Sequence, residues 1–396
     1  MITLSERVNQ MEESATLAMS RITRELKAQG KNIVALTLGE PDFNTPDFIK
    51  EAAIKAIHEN YSFYTPVSGY LDLRESICLK LKRDNNLDYS PENIVVSTGA
   101  KQSIANVVMA LINPGDEVII PAPFWVSYAE IVKLAGGVPV ILETDISTDF
   151  KMTAEQFRAA ITPRTKMMMF SSPCNPSGSV YSKEELANWE GIILESGIYV
   201  VSDEIYEHIN FVGSHASLAS FESIKNQVVT VNGVSKAWAM TGWRLGYIAA
   251  HKEIALACDK IQGQFTSATC SITQRAVIAA MNADPAVLSE MVVAYKRRRD
   301  LVLSYLNKIP DLKTNTPDGA FYLFPDVSAY FGRKYGDYVI RSAEDLTMYL
   351  LHEGLVSLVH GEAFGSNKCI RISYATSEDN LILGMERITE ALGKLH

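Results

Sequence analysis

Between Ile94 and Ala250 the chain repeats one pattern, a short apolar run rich in β-branched residues followed by a stretch of helical length. The runs are Ile94–Ser97, Val118–Ile120, Val138–Leu142, Met167–Ser171, Tyr199–Ser202, Val228–Val231 and Tyr247–Ala250. Most are continuous and not alternating, the pattern of strands buried on both faces. After Thr98-Gly99, Ile104, Val107, Val108 and Leu111 fall at helical spacing, and Asn113-Pro114-Gly115-Asp116 forms a turn before the next run. Strands separated by helices predict parallel crossovers and an α/β fold around a mostly parallel central sheet.

The pattern changes at Asp284-Pro285. Beyond it, Val287, Leu288, Met291, Val292, Tyr295, Val302, Tyr305 and Leu306 form a long amphipathic stripe, interrupted by the cations Lys296–Arg299. That helix is predicted to leave a large domain and enter a smaller one. Strand-like segments at Phe321–Phe324, Leu355–Val359 and Cys369–Tyr374 then mix with helices, an α+β pattern. The expected division is an N-terminal segment (1–45) contributing to the small domain, a large domain (46–285) and the small domain itself (286–396).

Acidic residues outnumber basic ones, 46 to 37, for a net charge of −9, which argues against nucleic acid or anionic lipid as the main partner. The five cysteines are dispersed and form no CxxC pair, so neither a disulfide framework nor a structural zinc site is expected. The seven histidines lack metal-ligand spacing, and no catalytic metal is expected. The segment Met1–Thr16 has no apolar run of the kind a secretory signal needs, and no apolar stretch reaches the ~18 residues needed to span a bilayer. A soluble enzyme of a reducing compartment, the cytoplasm, is the expectation.

The segment Gly233-Val234-Ser235-Lys236-Ala237-Trp238, continuing to Arg244, is the most informative. A lysine follows a strand and a small-residue turn, among apolar neighbours that make an ammonium costly and lower its pKa. Such an amine suits Schiff-base chemistry, and Arg244 lies close enough along the chain to serve a phosphate near it.

This segment resembles the cofactor-lysine signature of the class I/II aminotransferases, in the aspartate aminotransferase superfamily. Leu38-Gly39-Glu40-Pro41-Asp42-Phe43, Asn175-Pro176-Ser177-Gly178, Ser202-Asp203-Glu204-Ile205-Tyr206 and Arg371-Ile372-Ser373-Tyr374 occur in that family's order, so the likeness spans essentially the whole chain. It implies the aspartate-aminotransferase-like fold (fold type I), with a large cofactor-binding domain and a small domain built from both termini. It also implies pyridoxal 5′-phosphate carried on Lys236, and amino-group transfer from an L-amino acid to a 2-oxo acid by a ping-pong cycle.

The resemblance assigns roles residue by residue. Asp203 would keep the cofactor's ring nitrogen protonated, which makes the ring an electron sink. Asn175 and Tyr206 would donate to its phenolic oxygen, and Trp125 would stack on the ring. Gly99-Ala100-Lys101 opens a helix whose N–H groups suit a phosphate, with Ser235 and Arg244 as side-chain donors. Gly233 departs from the serine of many relatives, which removes one phosphate contact. Arg371 would grip the substrate α-carboxylate through two parallel hydrogen bonds, and backbone at Gly39 would close over it. Tyr64 would reach the phosphate of a neighbouring subunit, making the active site a property of a homodimer.

Gly99-Ala100-Lys101-Gln102 most resembles the bacterial aspartate aminotransferases of the I-beta subgroup, in which this lysine helps read the side-chain carboxylate of aspartate or glutamate. The segment Gln262–Thr266, where the I-alpha subgroup uses a partner arginine, has none. Some subgroup members also transaminate prephenate, with a basic determinant near the N-terminus. This chain has Glu12 there, which should repel a second substrate carboxylate. Lys236 and Asp203 would equally serve an aromatic or broad-specificity aminotransferase, or a β-lyase, decarboxylase or synthase of the same fold. A non-catalytic effector-sensing regulator would need a DNA-binding module, and no stretch before Leu36 is long or basic enough. A nicotinamide enzyme would need the GxGxxG fingerprint, which is absent.

Overall fold

The computed structural model describes residues 2–396. Its centre is a seven-stranded sheet made of β2 (Ile94–Ser97), β3 (Glu117–Ala122), β4 (Val138–Glu143), β5 (Thr165–Ser171), β6 (Tyr199–Asp203), β7 (Val228–Gly233) and β8 (Gly246–Ala249). The order across the sheet is β2-β8-β7-β6-β5-β3-β4. Neighbours from β7 to β4 pair in parallel, as predicted, although the β6–β7 crossover carries only the 3₁₀ turns Leu218–Ser220 and Lys225–Gln227 in place of a helix. β8 runs antiparallel to both β7 and β2. The reason is local: Val234–Leu245 carries only one short 3₁₀ turn, Thr241–Trp243, and no long crossover helix.

Alternation along the strands explains why the runs are continuously apolar. Ile119, Met168, Phe170, Val200 and Val228 enter one buried cluster, with helices Asp47–His58, Leu71–Asn85, Lys183–Ser196 and Ser271–Asn282. Val118, Ile120, Met167, Met169, Val201 and Val229 enter the other, under helices Ala100–Leu111, Ser127–Leu134 and Lys252–Phe265. Successive side chains point to opposite faces, so a sheet covered on both must be apolar at every position. β4 departs from this expectation. It is one of the two edge strands, and unlike β2 at the other edge its residues are exposed or half-buried throughout.

The C-terminal part builds an antiparallel sheet from β9 (Tyr322–Leu323), β13 (Val359–His360) and β14 (Ile370–Ser373), beside the hairpin of β10 (Lys334–Tyr335) and β11 (Tyr338–Val339). β12 (Val356–Ser357) pairs in parallel with β1 (Val34–Ala35), so residues from both ends of the chain share one ladder. The predicted stripe beyond Asp284 folds as a short 3₁₀ turn, Pro285–Leu288, and the helix Ser289–Leu306, packed on the C-terminal helix Glu378–Gly393. Two cations that interrupt the stripe are buried and hydrogen-bonded, although the Arg298 Nε has no partner. Arg298 donates to both oxygens of Asp42 (2.7 and 2.9 Å), and Arg299 donates to the Pro317 carbonyl. Among the described residues, no single helix is long and apolar enough to cross a membrane.

Candidate active site

The carboxyl ends of β3, β5, β6 and β7 face the start of the helix after β2 across one cavity of about 290 Å³, the size that admits a small molecule. Chain order reverses beside β3, which is flanked by β4 and β5, and a switch point of this kind opens a crevice at the strand ends. Trp125, Asn175, Asp203, Tyr206 and Lys236 line the cavity, with Gly39, Ala100, Lys101, Ser235 and Arg244 completing much of the wall. Gly99 precedes the lining residue Ala100 and Arg371 donates to the lining residue Asn175, whereas Tyr64 is 99% exposed and does not line the cavity of its own chain.

Asp203 ends β6. Its Oδ2 accepts from the Tyr128 hydroxyl at 2.7 Å and its Oδ1 from the Ile205 N–H at 3.2 Å. Burial pushes the carboxyl up to about 6, against the pull of those two hydrogen bonds and of Lys236. Lys236 donates from Nζ to the Gly39 carbonyl at 2.6 Å. Burial brings its ammonium down to about 8, with Arg371 acting in the same direction and Glu40 and Asp203 opposing.

At the other end, Gly99 (φ 87°) turns the chain into the helix Ala100–Leu111, whose first N–H groups have no partner within the helix. A β-carbon on Gly99 would lie 2.5 Å from an Arg244 terminal nitrogen, so the guanidinium rests against this turn. The missing serine at Gly233 has a steric explanation, since a β-carbon there would meet Gly246 Cα and the Leu245 carbonyl at 2.8 Å. Lys101 Nζ sits 4.9 Å from the centre of the Trp125 ring, and burial, with Arg244 adding to it, lowers its pKa.

Arg371 is 2% exposed. It donates to Asn175 Oδ1 (3.0 Å) and to the Thr37 carbonyl (2.5 Å), while its Nε has no partner. Two tyrosines complete the surroundings that sequence reasoning missed. Tyr128, on the cavity wall, lies three residues past Trp125 and meets it edge to face, a helical spacing that could have been read. Tyr322 joins its hydroxyl to that of Tyr206 at 2.7 Å. Its partner lies 116 residues away, beyond any local sequence signal.

Glu204 turns away from the cavity, accepts from Ser202 and Ser217, and faces His215 at 3.0 Å. Glu204, Glu207 and His215 place possible ligand atoms within 4.8 Å of one another, a grouping that histidine spacing did not reveal. Glu207 is already engaged by Lys80, Asn85 and Asn232, so an ammonium supplies the charge that a cation would bring.

The donor set fits pyridoxal phosphate. It offers an amine of lowered basicity, a buried carboxylate, a helix N-terminus backed by Arg244, and a buried guanidinium with a free Nε. The same burial predicts a pH-dependent cost in the cofactor-free protein. A carboxyl raised to about 6 favours folding at low pH, and that contribution fades as pH rises through the folded value. Cofactor-free Asp203→Asn should therefore gain on cofactor-free wild type by roughly 1–2 kcal/mol between pH 5 and pH 8. Urea unfolding at both pH values measures this, and a pH-independent difference would refute the assignment.

A family model described as "Aminotransferase class I and II" matches residues 31–388. The chain is 46% identical to an aspartate aminotransferase of Pinus pinaster, over 99% of this chain and 81% of that one. It is also 46% identical to a probable aspartate/prephenate aminotransferase of Rickettsia bellii, over 99% of both. Among solved structures, the aspartate aminotransferase of Rhizobium meliloti superposes with a TM-score of 0.97 at 40% identity, covering 100% of each chain. That of Thermus thermophilus, solved with maleate, gives 0.93 at 41%, covering 99% of this chain and 100% of the other. The chain therefore belongs to the class I and II aminotransferases, enzymes that move an amino group between an amino acid and a 2-oxo acid on pyridoxal 5′-phosphate.

Proposed function

We propose that this aminotransferase takes dicarboxylic amino acids, aspartate or glutamate, and works as a cytoplasmic homodimer. The observation that carries the substrate reading is Lys101. Its ammonium lines the cleft over Trp125, and among the described residues it pairs with no carboxylate. A cation without a protein counter-charge, in a site that already holds Arg371, suits a substrate with two carboxylates. The Thermus thermophilus relative with maleate, a dicarboxylate, supports the same reading.

Bound pyridoxal phosphate supplies the electron sink for the bond broken at the substrate α-carbon. Asp203 is assigned to holding the proton on the ring nitrogen, where its buried carboxylate meets an opposite charge. Asn175 and Tyr206 are assigned to the phenolic oxygen, Trp125 to the ring face, and Gly99, Ala100, Ser235 and Arg244 to the phosphate. Arg371 and the Gly39 backbone would orient the α-carboxylate. Lys236 would hold and move the proton at the substrate α-carbon, a task for which an amine near 8 is suited. A β-lyase would use the same lysine and aspartate, and double-displacement kinetics with a 2-oxo acid separates the two.

Exposed Tyr64, Phe63 and Phe265 support the dimer reading, because large apolar side chains left at the surface favour a covering partner. Free cysteines support the cytoplasmic placement. The division at residues 45 and 285 belongs to the same proposal, supported by the β1–β12 pairing and by the packing of Ser289–Leu306 on Glu378–Gly393. Glu12 and Lys101 both line a neighbouring hollow, where the Glu12 N–H donates to Glu130. Glu130 is paired with Lys133 and Glu362 faces His360, while Glu12 has no ion-pair partner among the described residues, so Glu12 is the carboxylate that disfavours prephenate.

Borohydride reduction of the holoenzyme followed by peptide mapping should place the label on Lys236, and Lys236→Ala should bind cofactor yet lose at least roughly 10²–10⁴ in turnover. A label on another lysine refutes the anchor. Lys101→Ala should lower kcat/KM for aspartate and glutamate by about ten- to a hundredfold, the worth of a hydrogen bond to a charged group, with little change for an aromatic amino acid. Equal losses on all substrates would assign Lys101 to the phosphate or the fold. Glu12→Lys should raise kcat/KM with prephenate roughly fivefold, the worth of an exposed ion pair, and no gain would remove Glu12 as a determinant.

A further inference from the structure

Tyr322 touches residues assigned above to three separate tasks. It lies on β9, opposite Ser373 of β14, and is fully buried. Its hydroxyl is 2.7 Å from that of Tyr206. Its ring lies 4.7 Å from the Arg371 guanidinium. Gly39 approaches so closely that a β-carbon there would overlap the Tyr322 hydroxyl, and the same glycine's carbonyl accepts from Lys236. Phenylalanine would fill this space equally well, and a buried hydroxyl is costly unless its hydrogen bond is used. We propose that Tyr322 is a positioning residue, whose hydroxyl orients the Tyr206 phenol toward the cofactor's phenolic oxygen and whose ring seats the Gly39 segment and Arg371 at the substrate carboxylate. The inference rests on the roles proposed for Tyr206, Lys236 and Arg371.

When Tyr206 donates its proton to the phenolic oxygen, its own oxygen is free to accept, and the Tyr322 hydroxyl is the partner in place. A donor that itself receives a hydrogen bond donates more strongly. The phenolic oxygen is then better stabilised as an anion and holds the neighbouring Schiff-base proton less tightly. Tyr322→Phe keeps the ring and removes this relay.

The pH titration of the Schiff-base absorbance in the holoenzyme reads this without turnover. Tyr322→Phe should raise the midpoint by about half a unit to one unit, the worth of one neutral hydrogen bond. The same change in a Tyr206→Phe background should add no further shift. The steric half has its own measurement. Gly39→Ala should lose kcat/KM through collision with the Tyr322 hydroxyl, and adding Tyr322→Phe should restore about tenfold, a coupling ordinary for residues in contact. An unmoved midpoint, a full additional shift without Tyr206, or independent losses in the Gly39→Ala pair would each overturn the proposal. A wild-type holoenzyme with no titrating band on Lys236 overturns the anchor reading and this one with it. A band that titrates but ignores Tyr322 overturns this one alone.

Discussion

At the carboxyl edge of the sheet, desolvation acts on Asp203 and Lys236 together and pushes both toward their neutral forms. For a structural ion pair this would be a defect. For a cofactor site it is the useful condition, because each group is left wanting what pyridoxal phosphate brings. In the proposed roles, a protonated ring nitrogen would give Asp203 an opposite charge, and an amine near 8 is more readily neutral, the form that attacks a carbonyl. The cofactor-free protein carries the cost of this burial, so cofactor binding should also stabilise the fold.

The positions of these groups depend on how closely three backbone segments approach. Gly233 and Gly246 are directly paired across β7 and β8, and a β-carbon on Gly246 would strike the backbone of Gly99 and Ala100. The end of β7, the start of β8 and the helix N-terminus therefore stack with no side chain between them. That contact fixes Lys236, two residues after Val234, relative to the N–H groups of the Ala100 turn. A β-carbon at Gly233 would press on Gly246 and the Leu245 carbonyl, so in this chain glycine permits the close approach.

Much of this was readable before any coordinates. The apolar runs located each central strand, because a sheet covered on both faces leaves no polar signal to blur them. The short motifs named Lys236, Asp203, Asn175 and Trp125, which the structure brings onto one cavity. The antiparallel turn of β8 was not readable, since run length is the same in either direction. β4 was not recognised as an edge, because Val138–Leu142 is as apolar as its buried neighbours. Tyr322 escaped for a different reason: its significance lies in pairing with Tyr206 and in pressing on Gly39, contacts made between distant parts of the chain. The buried cluster of Lys80, Glu204, Glu207 and His215 was hidden in the same way.

The substrate end shows how a site can keep its cations available. Arg371 comes from β14, Thr37 and Gly39 from the N-terminal segment, and Asn175 from the loop after β5. The Arg371 guanidinium is held by a backbone carbonyl and an amide oxygen, neutral acceptors that orient it without cancelling its charge. Lys101 is held over an aromatic ring, which likewise attracts a cation without neutralising it. Arg298 makes the contrast. It sits beside the same N-terminal segment but is clamped by both oxygens of Asp42, and so serves as a structural tie with no charge to offer. Neutral acceptors at Arg371 and an aromatic ring at Lys101 leave both charges uncancelled, as the proposed dicarboxylate reading requires, whereas the Asp42 carboxylate cancels that of Arg298.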